Sequence, residues 1–212
     1  GSGTVVSTGT WVVCMSPLAD AAKLDPLRDT SGTVSVFGAP LGCSRFMGGR
    51  EFAAIAGERG IAAAAIATDL AQVLESGVIA LPAFAASGPF QQASGQGNFL
   101  GPVPESAVGR AALAALYCAL VTDVCLGLIG AGGDIVVDGP FAANPIYLGV
   151  LAALRPDDQV FASDCPDGPT LGAAALAYAQ SRPRDGYTIL LVTQSHLLTI
   201  LQGKSPVKYD EF

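Results

Sequence analysis

Residues 135–144 read IVVDGPFAAN. The first three are β-branched and apolar, as in a strand buried on both faces. Asp138-Gly139-Pro140 is turn chemistry: the Asp side chain can accept turn N–H groups, Gly tolerates unusual backbone angles, and Pro presets φ. Asn144 stands directly before Pro145, and proline is favoured in the first turn of a helix, where its missing N–H costs least. The stretch therefore predicts a strand, a turn and a helix over 144–154. In an α/β sheet, ligands sit at the carboxyl ends of strands beside helix N-termini, and this corner is such a place. Two roles are open for Asn144, capping the helix or hydrogen-bonding a base. Two are open for Asp138, holding water around Mg²⁺ or accepting turn N–H bonds.

Working outward, a long apolar helix is expected over 105–129, with Ser106 as its N-cap and the glycine-rich run 130–133 as its stop. Beyond the 144–154 helix come a strand, QVFAS (159–163), and a small-residue helix, GPTLGAAALAYAQ (168–180). Helix, strand, helix, strand, helix is the order of an α/β domain. Upstream, TVVSTGTWVVCM (4–15) is two β-rich runs about Ser7-Thr8-Gly9-Thr10, which predicts a hairpin. A polar loop follows over 20–30. TVSVFG (33–38) and CSRFMG (43–48) read as strands, and helical spacing takes over at 50–59 and 63–76. Residues 88–104, rich in Gly, Gln, Ser and Pro, read as a long irregular loop. No internal repeat is visible. One domain is assigned to 1–180. The tail, 181–212, is set apart, because its pattern defines no place in the same architecture.

Half of the 212 residues are apolar and 14% are charged, so the chain can bury a sizeable core. The net charge is −7, and the 11 Lys and Arg are scattered, which speaks against nucleic acid or an anionic membrane surface as a partner. The apolar window 111–131 is long enough to span a bilayer, but it contains Thr122, Asp123 and two Gly and reads as a buried helix. Cys14, Cys43, Cys118, Cys125 and Cys165 are odd in number and contain no CxxC pair. That argues against a zinc site or a disulfide framework and for buried thiols in a reducing, cytoplasmic setting. No signal peptide pattern is visible. His196 is the single histidine, so any nucleophile system built on His would depend on it.

Two further loops carry possible chemistry. Consecutive N–H groups at a Gly-containing hairpin tip can cradle a phosphate, with the Thr8 and Thr10 hydroxyls as added donors; the plain alternative is an ordinary tip. Met47-Gly48-Gly49-Arg50-Glu51 permits close backbone approach at a helix start, with Arg45 or Arg50 as a phosphate contact; the alternative is a tight strand-to-helix turn. Asp20, Asp25, Arg28 and Asp29 read as a solvated face.

Taken in order, STGTW, RFMGGREF, VVDGPFAANPIYL and the helix LGAAALA resemble the C-terminal domain of the FGGY carbohydrate kinases, over roughly residues 4–180. STGTW and RFMGGREF look closest to the fuculokinase- and rhamnulokinase-like branches. The resemblance implies an actin-like ATPase (ribonuclease H-like) domain, an α/β fold with a mixed sheet flanked by helices. It implies that Thr8, Gly9 and Thr10 form the second phosphate hairpin, that Gly48 and Gly49 lie at the nucleoside wall, and that Gly139 and Asn144 form the adenosine loop. It further implies ATP and Mg²⁺ as cofactors and transfer of the γ-phosphoryl group to a sugar hydroxyl. In that family the sugar, the first phosphate loop and the catalytic Asp belong mainly to an N-terminal domain, so no catalytic residue is assigned in this chain.

The sequence departs from the family at Pro140, which stands where glycine is expected, removing an N–H and fixing φ. No Asp-x-Gly-Thr loop precedes Thr4, so the chain reads as a fragment, an excised domain or a truncated gene product that is inactive alone. A second reading is a non-catalytic actin-like interaction domain that has lost nucleotide binding and pairs as a homodimer. A third is an unrelated α/β enzyme using His196.

Overall fold

The computed structural model describes residues 3–17, 20–93, 96–165, 168–177 and 189–192. The predicted hairpin is present: β1 (Thr4–Thr8) and β2 (Val12–Pro17) pair antiparallel, with Thr8 opposite Val12. Alternation places Thr4, Val6 and Thr8 of β1 and Val12, Cys14 and Ser16 of β2 on the buried face. Next come β3 (Thr30–Val34) and β4 (Pro40–Phe46). The 33–38 strand expectation is corrected here. The chain turns over 35–39, where the Ser35 hydroxyl accepts the Phe37 and Ala39 amides at 3.3 and 3.1 Å. A short side-chain bond to the local backbone has replaced the ladder.

Helix α1 spans Gly48–Ile61 and α2 spans Ala67–Ser76. The second helix begins four residues later than its pattern suggests, because the Asp69 carboxylate reaches back to accept the Ile66 amide at 2.8 Å. The segment read as irregular contains β6 (Asn98–Leu100), which pairs antiparallel with β5 (Ile79–Leu81). Three-residue strands are too short to show periodicity. Helix α3 (Ala107–Leu128) opens where expected, with the Ser106 hydroxyl accepting the Gly109 amide at 3.0 Å. Then follow β7 (Asp134–Asp138), α4 (Pro145–Leu154), β8 (Gln159–Ser163), α5 (Gly168–Ala177) and β9 (Ile189–Val192).

Seven strands form one mixed sheet in the order β3-β4-β2-β1-β7-β8-β9. β1, β7 and β8 are parallel neighbours; the other pairings are antiparallel. The pairing of β9 with β8 gives part of the 181–212 segment a place in this sheet. Helix α3 packs between α1 and α4 and reaches β2 and β4. It is long and apolar enough to cross a membrane, yet two thirds of its most apolar window is buried within the fold. Burial on all sides explains why it lacks a polar face. Leu113, Leu126, Ile146 and Leu151 meet Val6, Val12, Phe46, Ile135 and Val137 in one core. Within it the Thr122 and Tyr147 hydroxyls bond to each other at 2.8 Å, so these two buried polar groups are satisfied.

The core also takes up three thiols, Cys14, Cys118 and Cys125. Cys14 has its pKa raised, first by a hydrogen bond with Cys125 and then by burial, and burial raises that of Cys118. These are inert packing thiols.

Candidate functional site

Parallel pairing of β1 with β7 runs from Thr4 opposite Ile135 to Ser7 opposite Asp138. Both strands therefore end together, and the hairpin tip (9–11) and the 139–144 loop emerge side by side. The third loop joins them through α1. The Gly49 amide donates to the Thr10 carbonyl at 3.2 Å, and a Cβ on Gly49 would lie 2.5 Å from the Gly9 carbonyl oxygen. Only a residue without a side chain permits that approach. Gly48 is buried against the Val12 and Phe46 side chains, so it packs the helix start on the sheet. Gly139 has φ 87°, and a Cβ there would overlap the Thr8 carbonyl and sit 3.0 Å from the Thr8 hydroxyl. The structure thus brings Thr8, Gly9, Thr10, Gly49, Gly139 and Asn144 to one end of the sheet.

Their chemistry differs. Gly9 is half-buried and Thr10 exposed, and neither amide has a backbone partner among the described residues. The tip can accept an anion. Thr8 cannot: its side chain is 6% exposed, its hydroxyl donates to the Asp138 carbonyl at 2.7 Å and accepts the Phe141 amide at 3.0 Å. Pro140, with no amide hydrogen, opens a 3₁₀ turn whose Ala142 amide bonds the Gly139 carbonyl at 2.9 Å. Phe141 turns inward, against Tyr147 (4.9 Å between ring centroids) and Phe52 of α1 (5.6 Å). Asn144 is the N-cap of α4: its Oδ1 accepts the Tyr147 amide at 3.0 Å. The side-chain amide nitrogen has no partner among the described residues, so capping leaves one donor group for a ligand.

The expected cation Arg45 is engaged elsewhere. It lies over Trp11, 5.0 Å from the ring centroid, and pairs with Asp29 at 3.1 Å. Asp29 in turn accepts the Gly88 amide at 2.9 Å, so it is more than part of a solvated face. Arg50, exposed in the first turn of α1, makes no ion pair among the described residues.

Three features escaped sequence reasoning. The Asp138 carboxylate touches the start of α5, where a Cβ on Gly168 would lie 3.1 Å from Asp138 Cγ, and its Oδ1 is buried without a hydrogen bond. A helix N-terminus favours that charge. Glu51, 1% exposed, accepts the Tyr117 hydroxyl and the Phe84 amide (3.4 Å), with its pKa raised by burial against those two bonds. Arg155, at the end of α4, pairs with Asp123 (2.8 Å) and Asp158 (3.1 Å). All three join positions far apart in the chain, and only Glu51, an acid inside an apolar helical pattern, carried a local signal. No group of three or more His, Cys, Asp or Glu suited to a metal occurs among the described residues, and His196 lies outside them.

Residues 1–185 match the family model described as carbohydrate kinase FGGY, C-terminal domain. The chain belongs to the FGGY carbohydrate kinase family. Its fold is the family's actin-like ATPase domain. Similar solved structures include a carbohydrate kinase from Novosphingobium aromaticivorans, with 29% identity, a TM-score of 0.77, and 96% of this chain covering 46% of that one. A xylulose kinase from Bifidobacterium adolescentis matches at 17% identity and TM-score 0.64, over 95% of this chain and 43% of its own. A gluconate kinase from Lactobacillus acidophilus matches at 14% and 0.63, over 95% and 45%. The last two show the fold alone. No curated protein matches. The FGGY chain spans less than half the length of these structural relatives.

Proposed function

We propose that this chain is the nucleotide-binding half of an ATP-dependent sugar kinase, acting in the cytoplasm. The observation that carries the reading is the convergence of the open Gly9-Thr10 tip with the 139–144 loop at one sheet end, at spacings that require glycine at 49 and 139. The tip amides suit the polyphosphate, with exposed Arg50 close by in sequence to the Gly49 contact. The half-buried surface of Gly139, Ala142 and Asn144 suits the nucleoside, Asn144 donating to the base. Mg²⁺ is held chiefly by nucleotide phosphates in such enzymes and needs few protein ligands, which fits the absence of a carboxylate cluster among the described residues. Bound there, it neutralises charge on the transferring phosphoryl group. The acceptor sugar and the catalytic base are assigned to an N-terminal domain in the parent kinase.

Calorimetric titration with Mg-ATP tests this. We expect saturable binding that Asn144→Ala weakens, and no sugar-dependent ATP turnover by the 212-residue chain. Robust turnover by the chain alone would refute the division of labour, and absence of binding at millimolar ATP would refute the nucleotide role. One observation favours the second reading, an interaction module: Val34, Val36 and Phe37 (88% exposed) crowd the turn after the edge strand β3. A stable dimer combined with no ATP binding would establish it.

A further inference from the structure

The Thr8 hydroxyl stands between the two loops assigned to the two ends of a nucleotide. The β1–β7 ladder ends at Ser7 and Asp138. One residue further the strands diverge into the tip and the 139–144 loop, and backbone pairing no longer sets their separation. Thr8 takes over there. Its one hydrogen goes to the Asp138 carbonyl and one lone pair receives the Phe141 amide, across 130 and 133 residues of chain. These partners flank Gly139 and Pro140 on both sides. Pro140 has no amide hydrogen, so Phe141 offers the first donor after Gly139, and Thr8 captures it. With the side chain 6% exposed and both bonds internal, the hydroxyl is not presented to a ligand.

We infer that Thr8 is a positioning residue that locks the phosphate tip and the nucleoside loop at one spacing, so that a ligand spanning both is recognised as a rigid whole. The inference rests on the nucleotide reading above. A ligand that touches one loop is indifferent to that spacing, whereas a ligand that bridges them is not. If the unlocked loops hold the binding spacing about a tenth of the time, apparent affinity for the bridging ligand falls about tenfold.

The test is titration of the chain and its Thr8→Val and Thr8→Ser variants with ADP, adenosine and pyrophosphate. Val keeps the shape and removes both bonds; Ser keeps the hydroxyl. We expect Thr8→Val to weaken ADP roughly tenfold while each fragment changes by less than about threefold, and Thr8→Ser to restore ADP binding to within about threefold. Unchanged ADP binding by Thr8→Val, or an equal loss for all three ligands, overturns the positioning role alone. Failure of the unmodified chain to bind ADP overturns the nucleotide reading and this inference with it. Should Thr8→Val not fold, hydrogen exchange of the unmodified chain decides. A Phe141 amide that exchanges as freely as an open loop amide overturns the lock, and a protected one whose protection falls in Thr8→Ala supports it.

Discussion

The hairpin tip and the 139–144 loop lie side by side and are both glycine-bearing, yet they are built in opposite ways. At the tip, Gly9 and Thr10 keep their amides free of backbone partners among the described residues, and a Cβ on Gly9 would find none of their atoms nearer than 3.8 Å. In the loop, Pro140 has no amide hydrogen, the Phe141 and Ala142 amides are bonded internally, and Gly139 is wedged against Thr8. The tip offers backbone donors; the loop offers a shape and the Asn144 side-chain amide. Pro140 opens the 3₁₀ turn of this loop, and the Phe141 and Ala142 amides that follow it are already engaged internally.

The contrast breaks most sharply at its glycines. Gly139→Ala forces a Cβ into the Thr8 carbonyl at positive φ, and we expect a loss of about 3 kcal/mol or more in urea unfolding, with loss of ATP binding. Gly9→Ala meets only an ordinary contact with the Trp11 carbonyl at 3.8 Å, and its stability should stay within about 0.5 kcal/mol of the parent chain. Equal effects of the two would erase the distinction. Gly49→Ala should fall between them, about 1–3 kcal/mol, because the Gly9 and Thr10 backbone 2.5–3.1 Å away must shift, and ATP affinity should fall with it.

Asn144 separates shape from donor within the loop. Asn144→Ala removes the α4 cap and should cost about 1 kcal/mol in thermal unfolding. Asn144→Asp keeps an oxygen for the Tyr147 amide, loses the NH₂ donor and adds a negative charge. Stability near that of the parent with weakened binding of uncharged adenosine would assign the amide to the ligand, because the added charge by itself repels the ATP phosphates. Undiminished binding by Asn144→Asp would leave Asn144 as a cap and no more.

The elements of this site were legible to unequal degrees. The 135–144 corner was readable because each step had local chemistry: β-branched residues, Asp-Gly-Pro, then Asn-Pro. The hairpin and the long α3 were readable for the same reason, as was the N-cap at Ser106. The place of Gly48 was not, because a glycine at a nucleoside wall and a glycine packed on Val12 look alike in sequence. Nor was the engagement of Thr8, since a hydroxyl beside a glycine suits a phosphate until a partner 130 residues away is known. The order of the loops in the sequence carried the resemblance to FGGY kinases; the structure supplied which groups in them remain free.

The smallest effect lies under both loops, in the first turn of α1. Gly49 there holds the tip, Phe52 meets Phe141 of the loop, and Glu51 between them bonds Tyr117 of α3 and the Phe84 amide. Burial raises the Glu51 pKa above its ordinary value of 4.5. The folded state then holds this proton more tightly than the unfolded chain does. The stabilising contribution is fully present below the unfolded pKa and is lost as pH rises through the folded one. Glu51→Gln, which mimics the protonated acid, removes that dependence. Its stability relative to the parent chain should therefore climb between about pH 4 and pH 7, read from urea midpoints at the two ends. Parallel curves would mean that the folded and unfolded chains hold this proton equally, so that Glu51 is ionised in the fold at neutral pH and its two hydrogen bonds offset the cost of burying the charge.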